Sequence, residues 1–180
     1  MTIYIALIRG INVGGNKKIK MAELKSSLQA MGLGRVQTYI QSGNALFESE
    51  EEAEPLRRRI EREIHTAFGM TVTVILRTAE ELNRLIANCP FAADSLTEGQ
   101  SIHVTLMTET ASQKTVDLLS TSERGHDEYH VHGQEIYFLF RQSVLDSKLA
   151  ANLQKLGDTA TSRNWNTIVK LAALAKAMEG

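Results

Sequence analysis

The sequence predicts an α+β protein built from two ferredoxin-like halves, each of βαββαβ type, with an antiparallel sheet covered by helices on one face. Three observations predict it. The first 77 residues alternate apolar runs and amphipathic stretches in the order β-α-β-β-α-β. Turn signals at Ser42-Gly43-Asn44 and Gly133-Gln134 mark two hairpins. The region after residue 100 repeats β-α-β-β and then turns helical. The repetition is one of element order, with no residue-level repeat visible.

Ile3 to Ile8 is a short apolar run closed by Arg9-Gly10, which reads as a central strand, and Asn12 to Lys18 is a loop. Met21, Leu24, Leu28 and Met31 follow helical spacing, and Gly32 supplies the stop. Val36 to Ile40 and Ala45 to Phe47 are strands, with Val36, Ile40, Ala45 and Phe47 expected on one face. A charged helix follows from Glu52 to Phe68, with Leu56, Ile60, Ile64 and Phe68 spaced by four; Gly69 ends it and Val72 to Leu76 forms a strand.

Thr78 to Ala87 is a helix with a good N-cap residue, broken by Asn88-Cys89-Pro90-Phe91. Ile102 to Met107 is a strand and Gln113 to Leu119 a short helix. Tyr129 to His132 and Glu135 to Phe140 form a hairpin with Gly133 at the first turn position of a type II′ turn. That register sets Val131 opposite Ile136 and Tyr129 opposite Phe138 on the buried face, and His130 and His132 opposite Tyr137 and Glu135 on a polar outer face. Leu145 to Leu156 and Asn164 to Met178 read as helices, the latter with Trp165, Ile168, Ala172, Ala175 and Met178 in one apolar stripe. The boundaries expected are 1–77 for the first subdomain, 78–100 for a connecting helix and loop, and 101–180 for the second subdomain.

With 20 basic and 21 acidic residues the formal net charge is −1, which disfavours a broad nucleic-acid footprint while leaving room for a local basic site. Cys89 is the only cysteine, so no internal disulfide forms and a reducing compartment is the simpler expectation. No apolar run reaches the length that spans a bilayer, and Met1 leads directly into an alternating apolar stretch without a basic leader. A cytoplasmic protein with no membrane partner is expected.

Three polar segments stand out. They are Arg9 to Lys17, Tyr39 to Asn44, and Thr161 to Thr167. Each mixes amide or hydroxyl donors with Gly or Arg near an element boundary, the composition a polar or anionic ligand needs. In the first, Gly14 and Gly15 let the backbone approach a ligand close to a helix N-terminus, with Lys17, Lys18 and Lys20 adding positive charge. It is not a P-loop: Asn16 stands where that motif needs Lys, and no Ser or Thr follows Lys17. No G-x-G-x-x-G is present, so a dinucleotide fold is unsupported. In the second, turn chemistry explains Gly43 and Asn44 but leaves Gln41 without a structural reason. In the third, Thr161, Ser162 or Asn164 caps the last helix, and Arg163 and Lys170 share a face if both are helical.

Alternation on a strand aims His130 and His132 the same way, a partial metal-ligand pattern for which the sequence offers no third ligand. No metal or cofactor is expected, and Cys89 reads as a half-buried structural thiol. Glu50 to Glu52 followed by Arg57 to Arg59 reads as helix charge complementing the dipole.

On these segments the chain resembles a bacterial family catalogued as domain of unknown function 1697. The matching text is Leu7-Ile8-Arg9-Gly10-Ile11-Asn12-Val13-Gly14-Gly15, Thr38 to Asn44, and Arg163 to Leu171, with Ile8 where the family usually has Leu. The resemblance implies two related α+β subdomains and no particular activity.

Function is therefore expected at a pocket gathering the three segments and taking an anionic small molecule, a nucleotide or a nucleic-acid end. Arg9, Lys17, Arg163 and Lys170 would neutralise charge, Asn12, Gln41, Ser42, Asn44 and Asn164 would read shape, and Gly14 and Gly15 would admit the ligand. An enzyme using the same pocket would need a base from elsewhere, such as Asp146 or Asp158. A purely structural polar network joining the halves is the remaining alternative.

Overall fold

A computed structural model describes residues 1–12, 17–122, 125–153, 155 and 159–179. The chain divides into two compact units, Met1–Arg84 together with Lys170–Gly180, and Leu85–Val169.

The first unit runs β1 (Thr2–Ile8), α1 (Met21–Ala30), β2 (Gly34–Tyr39), β3 (Asn44–Ser49), α2 (Ala53–Phe68) and β4 (Val74–Thr78). Its antiparallel sheet has the order β2-β3-β1-β4, the ferredoxin-like arrangement. Tyr4, Ala6 and Ile8 on one face of β1 pack with Leu24 and Leu28 of α1 and with Leu56, Ile60 and Ile64 of α2. Full burial of each of the three α2 residues contributes about 1.5–3 kcal/mol. Gly69 ends α2 in the left-handed conformation (φ 69°), its N–H donating to the His65 carbonyl. Ile5 and Leu7, on the other face of β1, are also buried, so the helices cover one face while both faces are apolar. That is why this strand reads as a continuous apolar run.

The β2–β3 hairpin differs from expectation at its tip. Tyr39 pairs with Asn44, so the loop is Ile40 to Gly43. Ile40 leaves the strand face, adopts φ 48° and is 48% exposed, while Asn44 is a fully buried strand residue rather than a turn residue. The positive φ the turn requires is carried by Ile40 and by Gly43 at 90°.

After β4 comes α3 (Ala79–Ala87). Thr78 and Glu81 form a reciprocal capping box: the Glu81 N–H donates to Thr78 Oγ1 at 3.1 Å, and the Thr78 N–H donates to Glu81 Oε1 at 3.0 Å.

The second unit contains β5 (Ser101–Met107), α4 (Gln113–Ser120), β6 (Glu128–His132), β7 (Glu135–Phe140), α5 (Lys148–Leu153) and β8 (Ala160–Asn164), followed by α6 (Trp165–Glu179), which extends beyond this unit. The sheet order β6-β7-β5-β8 repeats that of the first unit strand for strand. Val131 faces Ile136 and Tyr129 faces Phe138, over a core of Met107, Leu119, Ile136, Phe138, Phe140 and Leu149. The opposite face is not uniformly polar: His130 and His132 are exposed, but Tyr137 is fully buried, its hydroxyl donating to the Leu85 carbonyl at 2.6 Å.

Two further expectations are corrected. The 145–156 helix is a 3₁₀ turn at Val144–Asp146 followed by the shorter α5, with Gln154 and Leu156 outside the described residues. Ala160–Asn164 forms β8, so α6 begins at Trp165; of the three cap candidates it is Asn164, the last strand residue, that caps it. Individual backbone hydrogen bonds repeat as well, without a repeat of residue types. The Ile8 N–H bonds the Gly43 carbonyl as the Met107 N–H bonds that of Gln134, and the Arg9 N–H bonds Thr73 as the Thr108 N–H bonds Thr159. Side chains differ at these paired positions, so sequence comparison of the halves hides the match.

Candidate functional site

The first and second polar segments meet. The Asn12 side chain is the junction: its Nδ2 donates to the Gln41 carbonyl at 2.7 Å and to the Ile19 carbonyl at 3.0 Å, while its Oδ1 accepts the Ile19 N–H at 2.8 Å. Asn tolerates the left-handed backbone found here, φ 57°. Beside it, Ile11 is fully buried against the hairpin glycine. A Cβ at Gly43 would lie 2.8 Å from Ile11 Cγ1 and 3.0 Å from the Ile8 carbonyl, so only glycine fits under the loop.

This closure leaves a cleft of about 520 Å³ whose walls include Asn12, Lys18, Lys20, Met21, Glu23 and Gln41. The volume suits a small ligand. α1 starts at this wall, and its N-cap residue Lys20 makes no side-chain cap, so the positive end of the helix is left for another acceptor. Gln41 is exposed, as are Lys18, Lys20 and Glu23.

The other expected residues are placed as follows. Arg9 is half-buried directly after β1, its backbone N–H held by Thr73, and it is not among the described cleft residues. Lys17 turns elsewhere, donating through Nζ to the Thr71 carbonyl at 3.1 Å. Gly14 and Gly15 lie outside the described residues. Asn44 Nδ2 donates to the Tyr39 carbonyl and to Ser42 Oγ, so these two side chains brace the hairpin from inside. Arg163 lies in β8, not on a helix face with Lys170, and is only 8% exposed. Its Nη1 donates to Thr161 Oγ1 and to the Ser162 carbonyl, both at 2.9 Å, and burial holds its pKa down to about 10. Asn164 Oδ1 accepts the Thr167 N–H at 2.9 Å and caps α6. Lys170 is exposed on α6.

Sequence reasoning missed Glu23, the carboxylate in the cleft wall, because its helix position reads as an ordinary solvated face. Lys18 and Lys20 were legible as charge but not as cleft walls. Of the carboxylates considered from sequence, Asp146 is exposed in the second unit and Asp158 lies outside the described residues. Asp127, near the histidine pair in sequence, is buried and accepts from the Arg141 N–H, Gln142 and Ser147, which fixes it as a loop brace. Cys89 is half-buried, its thiol pKa pushed up by burial. Among the described residues, no group of three His, Cys, Asp or Glu side chains is arranged to hold a metal ion. No helix among them is long and apolar enough to cross a membrane.

The fold, and a match that takes in the first two polar segments, place the chain in a family of uncharacterised α+β proteins. It belongs to the family described as protein of unknown function (DUF1697), whose model matches residues 1–137. The solved structure of the conserved bacterial protein SP0830 from Streptococcus pneumoniae is similar, with 26% identity and a TM-score of 0.81 over 97% of this chain and 98% of that one. An unknown protein from Galdieria sulphuraria aligns over 91% of this chain and 97% of that one at 7% identity, and its TM-score of 0.24 carries no structural argument. No curated protein matches the chain.

Proposed function

We propose that the protein binds an anionic small molecule or nucleotide in the cleft between the Arg9–Lys20 loop and the Ile40–Gly43 hairpin tip. The observation that carries this is the grouping of Lys18, Lys20, Gln41 and the uncapped start of α1 around one opening of about 520 Å³. The two ammonium groups supply charge, the N–H groups at the start of α1, before Glu23, donate to an anion, and the Gln41 amide reads a neutral polar group. Asn12 and Gly43 shape the cleft rather than fill it. Calorimetry against nucleotides, phosphorylated metabolites and dicarboxylates tests this. Lys18→Ala with Lys20→Ala is expected to weaken binding by about 1–3 kcal/mol, the worth of lost charge-assisted contacts.

A structural role is the second reading, favoured at Asn12, Ser42 and Asn44 by their internal hydrogen bonds. The two readings divide the segment: these three residues hold the scaffold, while Lys18, Lys20 and Gln41 face the ligand. Catalysis in the same cleft would draw its base from Glu23. Turnover assays with Glu23→Gln, with and without divalent metal ions, separate catalysis from binding.

A further inference from the structure

We propose a second anion site on the outer face of α2, recognising a diphosphate or a longer run of phosphates. Arg58, Arg62 and Thr66 recur every four residues and so share one helix face, with His65 beside them. Together with Thr71 they line an open groove of about 590 Å³. A smaller hollow of about 300 Å³, bordered by Glu54, Pro55, Arg58 and Arg62, involves the same two arginines, with Glu54 engaged by Arg57 and Arg58. Lys17 lies beside the groove, its Nζ donating to the carbonyl of the lining residue Thr71 at 3.1 Å.

The charges along α2 are unequally matched. Arg57 pairs with Glu54 and Glu61, Arg58 with Glu54, and Arg59 with Glu51. Arg62 has no ion pair among the described residues, although it is exposed at the groove wall. Among the described residues the carboxylate lining the larger groove is Glu61, which is already engaged by Arg57 and by the Val74 N–H at 2.8 Å, so it does not cancel Arg62. Glu54 is held below the usual carboxylate range by its hydrogen bond to Arg57. A guanidinium with no ion pair among the described residues, a weakly paired one and two exposed hydroxyls around a groove, with an ammonium beside it, match the oxygen-rich, multiply charged surface of linked phosphates. The site is separate from the α1 cleft and does not depend on it.

The test is an amide-resolved NMR titration of the full chain with inorganic pyrophosphate, then with a short single-stranded oligonucleotide. Saturable shifts at Arg62, Thr66 and Thr71 are expected, with affinity at least tenfold weaker in Arg62→Ala at unchanged melting temperature. Arg62→Lys is expected to recover part of it. Saturation by pyrophosphate identifies a free diphosphate group as sufficient. Saturation by the oligonucleotide alone, weakening steeply with salt, assigns the phosphates to a nucleic-acid backbone. No saturable shift at these residues with either probe, or an affinity unchanged in Arg62→Ala, overturns the proposal. Shifts confined to Lys18, Lys20 and Gln41 overturn it as well, because they report the other cleft.

Discussion

Arg77 and Arg163 occupy equivalent positions in the two sheets. Arg77 lies opposite Ile5 in β4, and Arg163 lies opposite Val104 in β8; each is buried, and each donates through Nη1 to the carbonyl of the residue before it at 2.9 Å. The next residue in each case, Thr78 or Asn164, caps the following helix. A buried strand arginine followed by a helix cap is thus built twice. Arg163 is thus bonded within its own strand, in a stretch that reads in sequence as a ligand site.

Both Arg77→Ala and Arg163→Ala are expected to lower unfolding free energy by about 1–3 kcal/mol, through lost hydrogen bonds of a charged donor. Urea denaturation reads this directly. With its pKa near 10, the Arg163 guanidinium stays charged at neutral pH, so the loss is expected to be constant between pH 6 and 8. A change under about 0.5 kcal/mol, typical of a surface substitution, contradicts the equivalence.

Gly43→Ala tests the closure of loop on hairpin. The added methyl would meet the Ile8 carbonyl, which cannot move without disturbing β1, at a φ of 90° that L residues rarely adopt. Strain and overpacking together predict a loss of about 2–4 kcal/mol. A variant as stable as the parent would show that Ile11 does not rest on Gly43.

Ile40 is expected to be a stability defect. A β-branched residue at φ 48°, half out in water, is disfavoured both sterically and by exposure. Ile40→Asn is expected to raise stability by about 1 kcal/mol, since Asn tolerates the left-handed region. A lower melting temperature would mean that the isoleucine makes a stabilising contact.

His103 sets a pH dependence. Its ring stands edge-on to Phe140 with centroids 5.3 Å apart, and burial lowers its pKa. The unfolded chain takes up a proton below about pH 6.5 while the folded chain resists it. The unfolded state then binds more protons, so stability is fully present above about 6.5 and is lost as pH falls toward the folded pKa. His103→Phe, which keeps a ring against Phe140, is expected to flatten that slope. A titration of the ring midpoint above 6.5 contradicts the assignment.

The hairpin at Gly133-Gln134 was legible to the residue, because a two-residue turn between alternating strands leaves one register. β8 was not, because Thr161-Ser162-Arg163-Asn164 lacks apolar alternation and owes its strand to pairing with β5. Asn44 read as a turn residue because Asn usually is one, yet here it is buried inside the hairpin it braces. At the site, the donors of the first two segments were visible in sequence. The bond from Asn12 to the Gln41 carbonyl was not, since it joins residues 29 positions apart through tertiary closure. Glu23 was likewise invisible, as helix periodicity marks its position only as outward-facing.

The most direct test of the cleft is an amide-resolved NMR titration with adenosine monophosphate and, separately, succinate, comparing the parent with Lys18→Ala/Lys20→Ala. Saturable shifts at Lys18, Lys20 and Gln41 with at least one of these anions, weakened about tenfold or more in the double variant, are the predicted result. Resonances around the Asn12–Gln41 junction that stay fixed with both anions, or move equally in the double variant, would contradict a binding role for this cleft.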